Sequence, residues 1–125
     1  MARTALIVDD SASMRQMVSF TLKGAGFTVI ESSNGQEALD LLASRFANKV
    51  NLVITDLNMP VMDGLTLTRR LRALASLRFT PLLILTTESH EQRKAEGKAA
   101  GATGWIVKPF QPEQLLRVIE KVLPS

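Results

Sequence analysis

The stretch Ala5-Leu6-Ile7-Val8-Asp9-Asp10-Ser11 decides the fold. Four consecutive apolar residues, with no polar alternation, suit a strand covered on both faces. Two acids and a serine follow, and then apolar residues return at helical spacing, at Met14, Met17, Val18 and Phe20–Leu22. A buried strand running straight into an amphipathic helix is the opening half of a βαβ unit. Ser11 or Ser13 can cap this helix, and Gly24 and Gly26 stop it. Its paired methionines read as core filling, because thioether side chains adapt to irregular packing.

The same pattern recurs along the chain. Further apolar runs are Phe27–Ile30, Leu52–Ile54, Leu82–Leu85 and Trp105–Val107. Between them, Leu39, Leu42, Ala43 and Phe46 predict a second helix opened by Asn34, with Glu37 three residues on. Leu67, Leu71 and Leu74 predict a third, and Leu115, Ile119 and Val122 a fifth that starts at Pro112. The fourth, about His90 to Ala100, offers the core only alanines, and Gly97 weakens it by about 1 kcal/mol relative to Ala. It is expected to be the least firmly held. Five strands alternating with five helices give an α/β three-layer sandwich around a parallel sheet, with helices on both faces.

The 125 residues suit one domain, here residues 1–125, without linker or internal repeat. Hydrophobic residues at 46% and charged residues at 22% exclude a disordered chain. No apolar run is long enough for a membrane span or a signal peptide, so a cytoplasmic protein is expected. The absence of Cys excludes disulfides, thiolate metal sites and a Cys nucleophile. A net charge of +3 does not by itself point to nucleic acid. The cluster Arg69, Arg70, Arg72 and Arg78 has no interleaved aromatics and reads as a solvated face.

Sheets of this kind carry their sites beyond the carboxyl ends of the strands. Asp9 and Asp10 follow the first strand, Asp56 ends the third, Thr86 and Thr87 follow the fourth, and Lys108-Pro109 follows the fifth. Three crowded carboxylates need a compensating cation, and an all-oxygen set selects Mg²⁺, Ca²⁺ or Mn²⁺ over zinc. With a lysine and a hydroxyl suited to phosphoryl oxygens, the set reads as phosphoryl transfer onto an aspartate. His90, among polar neighbours, reads as a solvated loop residue, so the phosphoryl group must come from outside.

Val8-Asp9-Asp10-Ser11, Asp56-Leu57-Asn58-Met59-Pro60-Val61-Met62-Asp63-Gly64, Leu85-Thr86-Thr87-Glu88 and Val107-Lys108-Pro109-Phe110 resemble the signature blocks of two-component response regulator receiver domains. The resemblance spans the chain, and within the family it is similar to the stand-alone chemotaxis response regulators. It implies a flavodoxin-like sheet of order 2-1-3-4-5. It implies Asp56 as phosphoacceptor and Mg²⁺ held by Asp10 and Asp56, by Asp9 through water and by the Asn58 backbone carbonyl. Thr86 is then the hydroxyl that turns toward the phosphoryl group and Lys108 its counter-charge, across a cis Lys108–Pro109 bond. Asn58 and Glu88 stand where phosphoryl lifetime is tuned, and Gly64 at the turn into the third helix. Trp105 stands where chemotaxis members carry Tyr or Phe, as a switch residue, and Leu57 where they often carry an aromatic.

The implied function is a phosphorylation-controlled signalling switch rather than an enzyme. A histidine kinase donates the phosphoryl group, and the face of helix four, strand five and helix five binds an output protein such as a flagellar motor switch component. A phosphatase is a further possible partner. The protein is expected to be monomeric and to bind neither nucleic acid nor membrane. Because the sequence ends directly after the fifth helix, output is expected to be binding by the domain itself. An isolated receiver in a non-chemotaxis phosphorelay is the alternative. An aspartyl-phosphate phosphohydrolase is disfavoured because position 58 is Asn rather than an acid, and a flavin module because Asp9 and Asp10 would repel its phosphate.

Overall fold

The computed structural model describes residues 3–46, 49–87 and 90–123. Among them, five parallel strands form one sheet: β1 (Arg3–Val8), β2 (Phe27–Ser32), β3 (Leu52–Asp56), β4 (Leu82–Thr86) and β5 (Gly104–Val107). Their order is β2-β1-β3-β4-β5, as the resemblance implies. The connecting helices are α1 (Ala12–Gly24), α2 (Gly35–Leu41), α3 (Gly64–Arg72), α4 (Glu91–Ala100) and α5 (Pro112–Val122). No helix among the described residues is long and apolar enough to cross a membrane.

Alternation along each strand divides the core in two. Leu6, Val8, Val53, Leu82 and Ile84 point to one face and pack with Ala38, Leu67, Leu71 and Ala100 of α2, α3 and α4. Ala5, Ile7, Leu52, Ile54, Leu83 and Leu85 point to the other and pack with Val18, Leu22, Leu115 and Ile119 of α1 and α5. The chain leaves β1 toward β2 and returns past it to β3, so the topological switch point lies between β1 and β3.

Strands run further than the apolar runs indicate. Pairing continues through Asp56 opposite Leu85 and through Thr86 opposite Val107, so these two polar residues belong to the strands themselves. Ser11, not Ser13, caps α1, its hydroxyl accepting from the Met14 N–H at 3.3 Å. Met14 and Met17 are half-buried against the α1–α5 core, whereas Phe20 is exposed.

The second helix departs from its expected regularity: after Leu41 it widens into a π-helical turn, Leu42–Phe46, and Ala43 is exposed. The third ends at Arg72, and Leu74 leaves it to begin a 3₁₀ turn whose Leu77 takes the buried position.

Arg72 corrects the reading of its cluster. Arg69, Arg70 and Arg78 are exposed, but Arg72 is half-buried and donates to the carbonyls of Gly101 at 2.9 Å, Leu77 at 2.8 Å and Thr80 at 2.5 Å. It ties the end of α3 to the end of α4.

Helix α4 is also held differently from expectation. Ala95 and Ala99 face solvent, and only Gly97 and Ala100 are buried. Gly97 is no mere weak point, because a Cβ there would lie 2.7 Å from Trp105 Cζ3. The glycine leaves space that the indole fills. A buried Leu contributes roughly 1.5–3 kcal/mol and one methyl less than about 1, so the two buried residues of α4 anchor it lightly.

Candidate functional site

The carboxyl ends of β1, β3, β4 and β5 lie side by side and bring the polar residues together. Asp9 directly follows β1 and is 3% exposed, whereas its neighbour Asp10 is exposed. Asp56 is the last residue of β3 and Thr86 the last of β4, the latter 1% exposed. Lys108 follows β5, its N–H donating to the Thr86 carbonyl at 2.7 Å, and the Lys108–Pro109 peptide is cis. Carboxylate oxygens of Asp9, Asp10 and Asp56 all lie within 4.8 Å of one another.

Lys108 Nζ stands 3.4 Å from Asp9 Oδ2 and 3.4 Å from Asp56 Oδ1, bridging two of the three acids. Leu57 N–H donates to Asp56 Oδ1 at 2.8 Å, which fixes the rotation of that carboxylate. Burial pushes the Asp56 carboxyl above its ordinary range. Lys108 opposes the rise, the Asp9 charge adds to it, and the Leu57 N–H works against it. Burial and a second acid thus outweigh the lysine, so the metal-free pocket is short of positive charge.

A divalent cation suits that deficit. Two oxygens across an octahedral Mg²⁺ stand about 4.2 Å apart, close to the span of this cluster, and the donors are all oxygen. Asp9 already accepts from Ser11 N–H at Oδ1 (2.9 Å) and faces Lys108 at Oδ2, which leaves Asp10 and Asp56 as the freer carboxylates.

The loop after Asp56 is tightly folded. Asn58 is exposed within it. Val61 takes φ 74°, and Met62 N–H donates back to the Pro60 carbonyl at 2.8 Å, closing a three-residue turn that few β-branched residues adopt. Asp63 then caps α3, its Oδ1 accepting from Thr66 N–H at 2.8 Å. Gly64 is required here for close approach and not for φ: a Cβ would run into the Asp56 carbonyl oxygen and lie 2.9 Å from Leu57 Cα.

Trp105, second in β5, is half-buried against Gly97 and borders a groove of about 290 Å³ with Lys94, Lys98, Ala102, Thr103 and Gly104. It lies beside α4, as expected, but the space at Gly97 is already occupied by its ring. His90 is exposed at the N-cap position of α4. Glu88 lies outside the described residues.

One residue at the site escaped the sequence reading. Arg15 of α1 donates from Nη1 to the Asp9 carbonyl at 2.6 Å, and its Nε stands 3.5 Å from Glu31 Oε1. The available signal was a lone arginine among the half-apolar positions of α1, one turn after the cap.

Comparison with known proteins agrees with this geometry. The family described as response regulator receiver domain matches residues 5–120. The chain is 40% identical over 119 residues to a Campylobacter jejuni protein named chemotaxis protein CheY homolog, covering 94% of this chain and 90% of that one. It is 38% identical over 118 residues to the Pseudomonas aeruginosa chemotaxis protein CheY, covering 94% and 93%. A solved structure of Vibrio cholerae chemotaxis protein CheY4 superposes with a TM-score of 0.92 at 46% identity, covering 98% of this chain and all (100%) of that one.

Proposed function

The chain belongs to the response regulator receiver domain family, and from that premise we propose that it is a phosphorylation switch in chemotaxis. It accepts a phosphoryl group on Asp56 from a histidine kinase in the cytoplasm and passes the signal to a flagellar motor switch component by binding. The observation that carries this reading is the placing of Asp56, at a strand end between Lys108 and a second buried acid, in a cluster that wants a cation.

An Asp56 carboxylate oxygen attacks the phosphorus of the donor phosphoramidate. The new O–P bond forms as the P–N bond breaks, and the electron pair leaves with the donor imidazole. The Leu57 N–H on Oδ1 aims the attacking carboxylate. Lys108 meets charge developing on the phosphoryl oxygens, and the Thr86 hydroxyl offers them a donor. Asp10, Asp56 and the Asn58 carbonyl would hold Mg²⁺, with Asp9 holding it through water, and the ion would supply positive charge to offset that on the transferring group. Asn58 and Glu88 set the lifetime of the acyl phosphate. The domain performs this chemistry on itself and turns over no separate substrate.

Ligands that bind only the native state raise its stability by mass action. At 100 times the dissociation constant Mg²⁺ contributes about 2.7 kcal/mol, several degrees for a chain of this size. Thermal scans in 10 mM Mg²⁺ against EDTA are expected to show that rise in the wild type and less than half of it in Asp10→Asn. Equal rises in both would place the metal elsewhere.

Output is read at Trp105, the sole tryptophan in a chain without tyrosine. We take Thr86 to move toward the phosphoryl group and the indole to follow it inward. Beryllofluoride with Mg²⁺ mimics the phosphoryl group on Asp56, and it is expected to shift Trp105 emission to the blue and to reduce quenching by acrylamide. Thr86→Ala is expected to blunt both. Unchanged emission and quenching with beryllofluoride bound would remove Trp105 from the switch.

A further inference from the structure

Asp9 is fixed at every polar atom. Its N–H donates to the Ser32 carbonyl at 3.2 Å, Oδ1 accepts from Ser11 N–H, and Oδ2 faces Lys108. Its carbonyl oxygen accepts from Arg15 Nη1 at 2.6 Å, the shortest of the four. Arg15 is held in turn by Glu31, next to last in β2. One guanidinium therefore joins α1, the end of β2 and the loop that carries both N-terminal acids.

The Asp9 carbonyl belongs to the planar peptide unit shared with Asp10, so fixing that oxygen fixes the plane. The plane sets where the Asp10 Cα sits and in which direction its carboxylate leaves the main chain. Asp10 is exposed, so packing does little to orient it. We propose that Arg15 is a positioning residue for the divalent cation, acting through the Asp9–Asp10 peptide. This rests on the receiver reading of the acidic cluster.

Two effects of Arg15 oppose each other. Its positive charge repels an incoming cation, whereas its hydrogen bond aims a ligand toward it. The charge is offset by Glu31 at 3.5 Å and screened by partial exposure, so positioning dominates. Groups that orient metal ligands from behind typically change affinity by about 10- to 100-fold.

The signs are therefore opposite, and calorimetric titration with Mg²⁺ separates them. Arg15→Ala is expected to weaken Mg²⁺ binding about tenfold. In acetyl phosphate labelling it raises the Mg²⁺ concentration for half-maximal rate by the same factor, with the rate at saturating Mg²⁺ within about twofold of wild type. Should Arg15→Ala not fold, Arg15→Met keeps the aliphatic stem and carries the same expectation. Unchanged or tighter binding in the variant overturns the proposal. A loss of saturating rate with no change in Mg²⁺ affinity also overturns it, since that is the signature of a general structural defect. If the wild type itself binds no Mg²⁺, the receiver reading of the cluster falls first, and the two failures are distinguishable.

Discussion

Asp56→Asn is expected to abolish Mg²⁺-dependent labelling by acetyl phosphate, a loss of more than about 100-fold, because an amide cannot form an acyl phosphate. Mass spectrometry of the intact chain reads it directly, and labelling at the wild-type level would move the acceptor elsewhere. The same substitution carries an unusual expectation for stability. Asp56 holds its proton more tightly in the folded chain than the ordinary value of 3.8 allows. The ionised carboxylate therefore opposes folding above the raised pKa, and that opposition vanishes below pH 3.8, where both states are protonated. In metal-free buffer at pH 7, Asp56→Asn should melt above the wild type, with the gap closing as pH falls through the raised value toward 3.8. With Mg²⁺ the gap should reverse, since the wild type alone gains the full ligand set. Equal midpoints without metal at pH 7 would contradict the charge balance derived for the pocket.

Gly64→Ala is expected to be the most destabilising small substitution in the site. Its Cβ meets the Asp56 carbonyl oxygen and Leu57 Cα, both main chain, and the Gly64 N–H already donates to the Leu57 carbonyl at 2.7 Å. No rotamer change relieves a clash with backbone. A loss of about 3 kcal/mol or more follows, a fall in thermal midpoint of more than about 10 °C. Labelling should fall too, since the loop that yields is the one attached to Asp56. Gly24→Ala is the matched control, because a Cβ at Gly24 has nothing within 4 Å and ends a helix where Ala is favoured. Similar losses at both positions would mean that the turn at Gly64 tolerates a side chain.

The strands and the site were readable in the chain, each for its own reason. Unbroken runs such as Ala5–Val8 and Leu82–Leu85 announce strands covered on both faces, and the polar residues after them mark one sheet edge. The order of the strands came from resemblance alone, since hydrophobic period carries no information on which strand lies beside which. Asp9, Asp10, Asp56, Thr86 and Lys108 were visible because each stands at a strand end.

Other features depend on through-space contacts that no local pattern encodes. Arg72 looked like one of four surface arginines, yet three backbone carbonyls, one of them 29 residues along the chain, converge on it. Arg15 plays no part in the sequence reading, and its partner is a carbonyl six residues back. The π-helical turn at Leu42–Phe46 was hidden because its apolar spacing is indistinguishable from that of a regular helix.

The fit of the indole against Gly97 also couples what the two positions can accept, whichever order of change is considered. Had tryptophan arrived at position 105 while residue 97 still bore a side chain, the lineage would have carried an overpacked intermediate, at about 1–3 kcal/mol. Had glycine come first, the intermediate would have lost only about 1 kcal/mol of helix propensity. The milder path runs glycine first and tryptophan second. A side chain at position 97 would now meet the ring of Trp105, so what either position tolerates depends on the residue at the other.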